Sequence, residues 1–379
     1  MTFIIRHTVE IALLCSTIPI HLYAASKFWN HPKVSRKLVI FALVLAVLMM
    51  IFGLLLDSPR VHEQFPSWVY PVVRALHLAW MIVVLGAFCL HLIYVSLFSN
   101  WYSHSPKRRA FLNATYAAPA AVLGYGALIE RDHFQIREVD IPIAGLPREL
   151  HGLRLLQLTD IHVGDYMSER TLARVIDMAN ETKPNLAIMT GDLLTKRGDP
   201  VDECLRQLKR VKADAGLIGC MGNHELYSGA LRYVETNAAR MGMDFLRQRA
   251  KPMTFHGKTL NFVGYDYQAK RFGPYLKQAE LLADPNLINI LLSHNPDVFR
   301  VSPEKGYQLT LSGHTHGGQI AVEYLNPYMN VASFVTPYIA GYYHERGSSL
   351  YVSRGVGTIG VPARVGVPPE ITLIRLCAT

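Results

Sequence analysis

An α/β fold, with stacked sheets flanked by helices and an N-terminal transmembrane helical region ahead of them, is what the chain predicts. Three observations carry this. Half of the 379 residues are hydrophobic, and the longest uncharged apolar runs all lie in the first third. From about Arg137 onward, short continuous Val, Ile and Leu runs alternate with stretches of helical periodicity, the pattern of strands covered on both faces. Five such runs end in Asp, Asn or His beside glycine or a turn.

A chain of this length is enough for two units. Its mean hydropathy is +0.16, its net charge +9 and its pI about 9.2. Such a balance fits nucleic acid or an anionic membrane surface. No basic stripe interleaved with aromatics is present, so nucleic acid is excluded as the expected partner. The positive charge instead flanks the apolar segments. The five cysteines, Cys15, Cys89, Cys204, Cys220 and Cys377, form no C-x-x-C pair and no disulfide framework.

The membrane region is expected over residues 1–130, with three to four transmembrane helices. The run 38–56, "LVIFALVLAVLMMIFGLLL", contains no charge and suits a hydrocarbon layer of ~30 Å. A second uncharged run covers 75–99 and includes Trp80 and Tyr94, while an earlier one over about 11–25 is shorter and contains Pro19 and His21. The fourth segment, 107–129, opens with Lys107-Arg108-Arg109-Ala-Phe111-Leu112. It resembles a twin-arginine export signal; a basic flank to a weakly apolar helix is the other reading. Lys and Arg favour cytoplasmic loops. Lys27, Lys33, Arg36 and Lys37 lie between the first two spans and Lys107 to Arg109 before the fourth, whereas only Arg60 and Arg74 separate the second from the third. The expectation is a multi-pass protein of the inner (cytoplasmic) membrane, with the C-terminal domain, 137–379, outside the cytoplasm.

In that domain strands are expected over 153–160, 185–192, 216–225 (with its turn), 260–264, 287–296, 307–316, 349–354 and 370–376. Helices are expected over 169–181, with Ser168 as N-cap, and over 200–211 and 230–241. Chemistry in open α/β sheets gathers beyond the carboxyl ends of the strands. There stand Asp160-Ile-His162, Gly191-Asp192, Gly222-Asn223-His224-Glu225, Ser293-His294 and Gly313-His314-Thr-His316. Neighbouring strands lie roughly 4.8 Å apart, so these tips can converge. Carboxylate oxygen, imidazole nitrogen and a neutral amide oxygen together suit a divalent first-row metal better than Ca²⁺. With no cysteine among them, a structural zinc site is not expected.

These five blocks resemble those of the calcineurin-like metallophosphoesterases and occur in the family's order over about residues 153–318. The stretches "HTHGGQ", "LYVSRGVGT" (350–358) and "PPEITLI" (368–374) resemble a bacterial branch that carries membrane segments or a twin-arginine signal. The resemblance implies a four-layer α/β/β/α sandwich and a centre of two divalent ions, with Mn, Fe and Zn all compatible. Asp160, His162 and His316 would hold the first ion, Asp192 would bridge, and Asn223, His294 and His314 would hold the second. His224 would act on the substrate phosphate or the leaving oxygen without binding metal, and Glu225 would position its loop. The implied reaction is hydrolysis of phosphomonoesters, phosphodiesters or pyrophosphates by metal-activated hydroxide.

The expected partner is a phosphorylated small molecule or lipid, together with the bilayer. An aromatic-rich insertion over 322–347, with Tyr324, Tyr328, Phe334, Tyr338, Tyr342 and Tyr343, would either cover an acyl chain or pack in the core. Arg354 would contact a substrate anion or form a structural ion pair. Two other readings stand beside this one: a pyrophosphatase of the UDP-2,3-diacylglucosamine type, and a membrane sensor or scaffold built on an inactive phosphatase fold.

Overall fold

The computed structural model describes residues 17–29, 35–56, 80–81, 84–86, 88, 121–122, 124–269, 273–321 and 330–379. The chain divides into two units, Met1–Ala127 and Leu128–Thr379.

In the first unit residues 17–29 are helical, and helix α1 covers Arg36–Leu56. Among the described residues no helix is long and apolar enough to cross a membrane. The expected transmembrane region is therefore not found there. Most of the run 75–99 and the Lys107-Arg108-Arg109 motif lie outside the described residues. What α1 does present is an exposed apolar surface, with Leu38 at 58% and Phe41 at 63% exposure.

The second unit is built on two six-stranded sheets. Its strands are β1 Gln135–Ile143, β2 Arg154–Leu158, β3 Leu186–Thr190, β4 Leu217–Cys220, β5 Asp244–Phe245, β6 Arg249–Phe255, β7 Lys258–Tyr265, β8 Ile288–Ser293, β9 Leu309–Ser312, β10 Gly341–Glu345, β11 Ser348–Val352 and β12 Glu370–Ala378. The first sheet runs β1-β12-β2-β3-β4-β5 and the second β10-β11-β9-β8-β7-β6. β2 through β5 are parallel, as are β7, β8, β9 and β11. Both sheets thus point several carboxyl ends in a common direction.

Strand alternation sends the apolar residues of the central strands to both faces of each sheet. In β2, Leu155 enters the core between the sheets, with Ile188, Ile218, Leu260, Ile290 and Leu311. Leu156 and Leu158 face the other way, onto helices α2 Glu169–Glu181, α3 Val201–Leu208 and α5 Leu231–Arg240. These helices form one outer layer. On the far side Val263, Leu291, Val298 and Tyr307 are buried beneath short 3-10 turns at Ala279–Leu281, Pro296–Arg300 and Pro303–Lys305. The α/β/β/α expectation is met on one face. On the other, the covering layer among the described residues is 3-10 rather than α-helical, with prolines at 296 and 303 opening two of its turns.

α2 begins as the sequence predicts, with Ser168 Oγ accepting the Thr171 amide at 3.1 Å. The Ser168→Ala variant is expected to lose about 1 kcal/mol of stability with turnover unchanged, measured by denaturant unfolding alongside an activity assay.

Candidate metal centre

β2, β3 and β4 of the first sheet and β8 and β9 of the second end together. The turns after them are tied to one another through the main chain. The Asp160 amide donates to Gly191 O at 3.0 Å, His162 to Asp192 O at 3.1 Å, and Gly313 to His294 O at 3.1 Å. The turns are sharp. Asp160, His162, Asp192, His314 and His316 have φ of 53°, 50°, 58°, 78° and 51°, in the left-handed region that non-glycine residues seldom occupy. Such a backbone costs of order 1–3 kcal/mol per residue and persists where surrounding contacts over-determine it. Gly313 is required by proximity, since a Cβ there would lie 2.3 Å from Asp160 Oδ2.

The side chains so placed converge. One ligand atom each from Asp160, His162 and His316, from His162, Asp192 and His224, and from Asp192, His294 and His314 lie within 4.8 Å of one another. His162 Nε2 and His316 Nε2 are 3.1 Å apart. Asp160 Oδ1 is 3.2 Å from His316 Nε2, and Asp192 Oδ2 is 3.0 Å from His294 Nε2 and 3.6 Å from His162 Nε2. Asn223 begins the short helix α4, Asn223–Ser228, and its buried Oδ1 accepts no hydrogen bond among the described residues.

The outer ring nitrogens are occupied. His294 Nδ1 donates to Thr190 O at 2.7 Å, His316 Nδ1 to Gly357 O at 3.4 Å, and His224 Nδ1 to Thr195 O at 2.5 Å. A carbonyl only accepts, so these contacts keep the proton on Nδ1 and leave Nε2 for the centre. His162 Nδ1 lies 3.1 Å from Thr195 Oγ1, a hydroxyl that can accept in the same sense. Burial holds His162 well below the usual imidazole range and takes His314 and His316 down to about 4. These rings are neutral at pH 7, with lone pairs able to ligate. His294 differs: burial opposes its charge, but Asp192 and Asp160 outweigh that and raise it to about 10. Asp192 is also disfavoured by burial, yet the surrounding histidines, His294 first, hold its carboxyl well below the usual range.

The donor set fits divalent cations. Neutral imidazole lone pairs facing each other, two buried carboxylates and an unpartnered amide oxygen are all satisfied by positive charge at the centre. Glu225 lies outside that set. Its carboxylate accepts from the amides of Gly222 at 2.7 Å, Asp192 at 3.0 Å and Leu193 at 2.6 Å, pinning the β4 turn to the β3 turn. Burial, and next the charge of Asp192, push its acidity toward higher pH.

The structure brings together Asp160, His162, Asp192, His224, His294, His314 and His316, and Asn223 follows β4 beside His224 with its amide oxygen buried. Arg354 instead has its Nε 3.8 Å from Glu370 Oε2, an ion pair. Of the aromatic insertion, residues 322–329 lie outside the described residues. Tyr338 is buried against Phe299 at 5.6 Å and Tyr343 at 5.3 Å, in the core rather than available to an acyl chain. Two neighbours of the centre are not evident from the sequence. Thr195 touches both His162 and His224. Tyr267 packs its ring 5.3 Å from His314 and 6.2 Å from Tyr227. Tyr267 lies just past the end of β7, so the strand-end rule applied to every strand would have found it.

Residues 153–318 match the family model of the calcineurin-like phosphoesterases. The chain is 28% identical over 288 residues to the uncharacterized metallophosphoesterase YkuE of Bacillus subtilis, covering 72% of this chain and 98% of that protein. It is 31% identical over 251 residues to an uncharacterized metallophosphoesterase of Helicobacter pylori strain J99, covering 64% of each. It is 28% identical over 269 residues to the transmembrane protein with metallophosphoesterase domain of Danio rerio, covering 68% of this chain and 60% of that one. The match thus spans nearly all of the first relative and just under two thirds of the other two. A dimetal phosphatase of Danio rerio of known structure shares 11% identity, over 60% of this chain and 93% of that one, with a TM-score of 0.38. With the family match falling on the very strands whose tips carry these converging side chains, residues 153–318 belong to the calcineurin-like metallophosphoesterase superfamily, and the chain is a phosphoesterase.

Proposed function

We propose that the chain is a membrane-associated, binuclear-metal phosphoesterase acting on phosphomonoesters, phosphodiesters or pyrophosphates. The observation that carries this is the convergence of seven metal-capable side chains from five strand ends. We assign Asp160, His162 and His316 to one ion, Asn223, His294 and His314 to the other, and Asp192 between them. The grouping of Asp160 with His162 and His316, and of Asp192 with His294 and His314, supports the division. Mn, Fe and Zn each suit the donors. Divalent ions there would polarise phosphoryl oxygens and make hydroxide available near neutral pH.

The chain's own groups do the rest. His224 gives its Nδ1 proton to Thr195 O, so Nε2 is the atom that meets substrate. In its protonated form it hydrogen-bonds a phosphoryl oxygen or hands its proton to the leaving oxygen. The His224 amide donates to Asp192 Oδ1 at 2.9 Å, so the residue that protonates and the residue that bridges move as one. Arg354 remains the candidate anion contact at the edge of the site; its pairing with Glu370 makes it weaker than His224. The complete donor set favours an enzyme over an inactive scaffold. No observation favours the diacylglucosamine pyrophosphatase reading.

For membrane association the support is the exposed apolar surface of α1 and the Danio rerio relative, a transmembrane protein with a metallophosphoesterase domain. With the basic loops cytoplasmic, the catalytic unit lies outside the cytoplasm.

Three outcomes are expected. Asp192→Ala loses bound metal by elemental analysis and loses turnover of a nitrophenyl phosphodiester; wild-type turnover by this variant rejects the two-ion assignment. His224→Ala retains metal while kcat falls roughly 10²- to 10⁴-fold; an unchanged kcat removes His224 from the mechanism. Alkaline phosphatase fused after Thr379 is active in intact cells, whereas fluorescence of a cytoplasmic reporter at the same position reverses the topology.

A further inference from the structure

Arg364 is fully buried, yet the hydrogen bonds it makes among the described residues all go to main-chain carbonyls. Nη1 donates to Val367 O at 3.2 Å, and Nη2 serves Arg354 O at 2.9 Å, Gly355 O at 3.0 Å and Gly357 O at 2.5 Å. Burying a cation this way is costly without a compensating role. Burial takes its pKa down to about 10, with Asp160 and then Glu370 opposing that fall, so it stays charged at neutral pH.

The segment that Arg364 grips, residues 354–357, lies against the metal centre. The Gly357 amide donates to Asp160 O at 2.8 Å and the Val356 amide to Thr159 O at 3.2 Å. At Gly355 a Cβ would lie 2.6 Å from the Asp160 Cβ, so this backbone is pressed directly onto a ligand. Gly357 O is the shared acceptor: it takes one hydrogen from Arg364 and one from His316 Nδ1. A carbonyl held there keeps the His316 proton on Nδ1 and turns its Nε2 lone pair toward Asp160 and His162.

We propose that Arg364 is a positioning residue for the metal centre, clamping the 354–357 segment so that Gly357 O orients His316 and the backbone holds Asp160 in place. The inference rests on the metal reading above. It requires a planar fork with several fixed donors. A lysine ammonium on a flexible stem cannot grip four carbonyls, so charge alone should not substitute.

The test is Mn²⁺ titration of the full chain by calorimetry, for wild type, Arg364→Lys and Val298→Ala. The last removes bulk from a separate core cluster and controls for general destabilisation. Wild type is expected to take up two ions. Arg364→Lys should bind one of them roughly 10- to 100-fold more weakly and the other unchanged, while Val298→Ala keeps both. Equal affinities in wild type and Arg364→Lys, or equal weakening in both variants, overturn the inference and leave the metal reading standing. A wild-type chain that takes up no Mn²⁺ overturns the metal reading and the inference with it. If Arg364→Lys does not fold, ¹⁵N-histidine spectra of metal-free wild type decide: a proton on His316 Nδ1 supports the role, and one on Nε2 overturns it.

Discussion

Two imidazole nitrogens, His162 Nε2 and His316 Nε2, face each other at 3.1 Å on side chains buried from solvent. Their outer nitrogens are committed elsewhere, so both inner lone pairs point at the same small volume. Two buried carboxylates, Asp160 and Asp192, lie beside them, and the buried Asn223 Oδ1 accepts no hydrogen bond among the described residues. Without a positive charge at the centre the arrangement is electrostatically unsatisfied. Much of the surrounding structure serves to hold these groups in that opposed geometry.

The holding is done by main chain more than by side chains. The turns after β2 and β3 hydrogen-bond to each other, and Glu225 draws the turn after β4 into the same group through three amides. Five of the proposed ligands sit at positive φ. That strain is carried by the rigid inter-sheet core, where Leu155, Ile188, Ile290 and Leu311 fix the strand ends from which the turns spring. The outer nitrogens of His294, His224 and His316 are then tied to carbonyls at Thr190, Thr195 and Gly357, so the orientation of these rings follows from backbone position. The enzyme's chemistry is therefore coupled to the fit between two sheets, even though no strand contributes a ligand from its interior.

The central strands of the second unit are legible in the sequence because they are covered on both faces. Burial on both sides keeps most positions apolar, with the few polar ones such as Gln157 and Thr310 also buried, and the resulting short apolar run is unlike a helix or a loop. β1, β6 and β10, which the patterning does not reveal, are at or near sheet edges. Their exposed positions carry Arg, Glu, Asp and His, so the apolar signal is diluted. β5 is two residues long, too short to show any period. The aromatic insertion has two physical readings because Tyr serves equally in a core or at a surface. The ring contacts of Tyr338 and Tyr343 put those two in the core, whereas Tyr342 is exposed. The apolar N-terminal runs rest on hydropathy alone, and among the described residues no helix is long and apolar enough to cross a membrane.

The sequence by itself determined the class of chemistry: which donor types stand at the strand ends, and in what order. It could do so because those residues are local to apolar runs whose ends are readable one at a time. Only the tertiary structure decided which nitrogen of each histidine faces the centre, that Thr195 touches two of them, that Arg354 pairs with Glu370, and that Arg364 grips the segment beneath His316. Each of these depends on distances between residues far apart in the chain. Such distances arise from the packing of two sheets and leave no periodic trace along one strand.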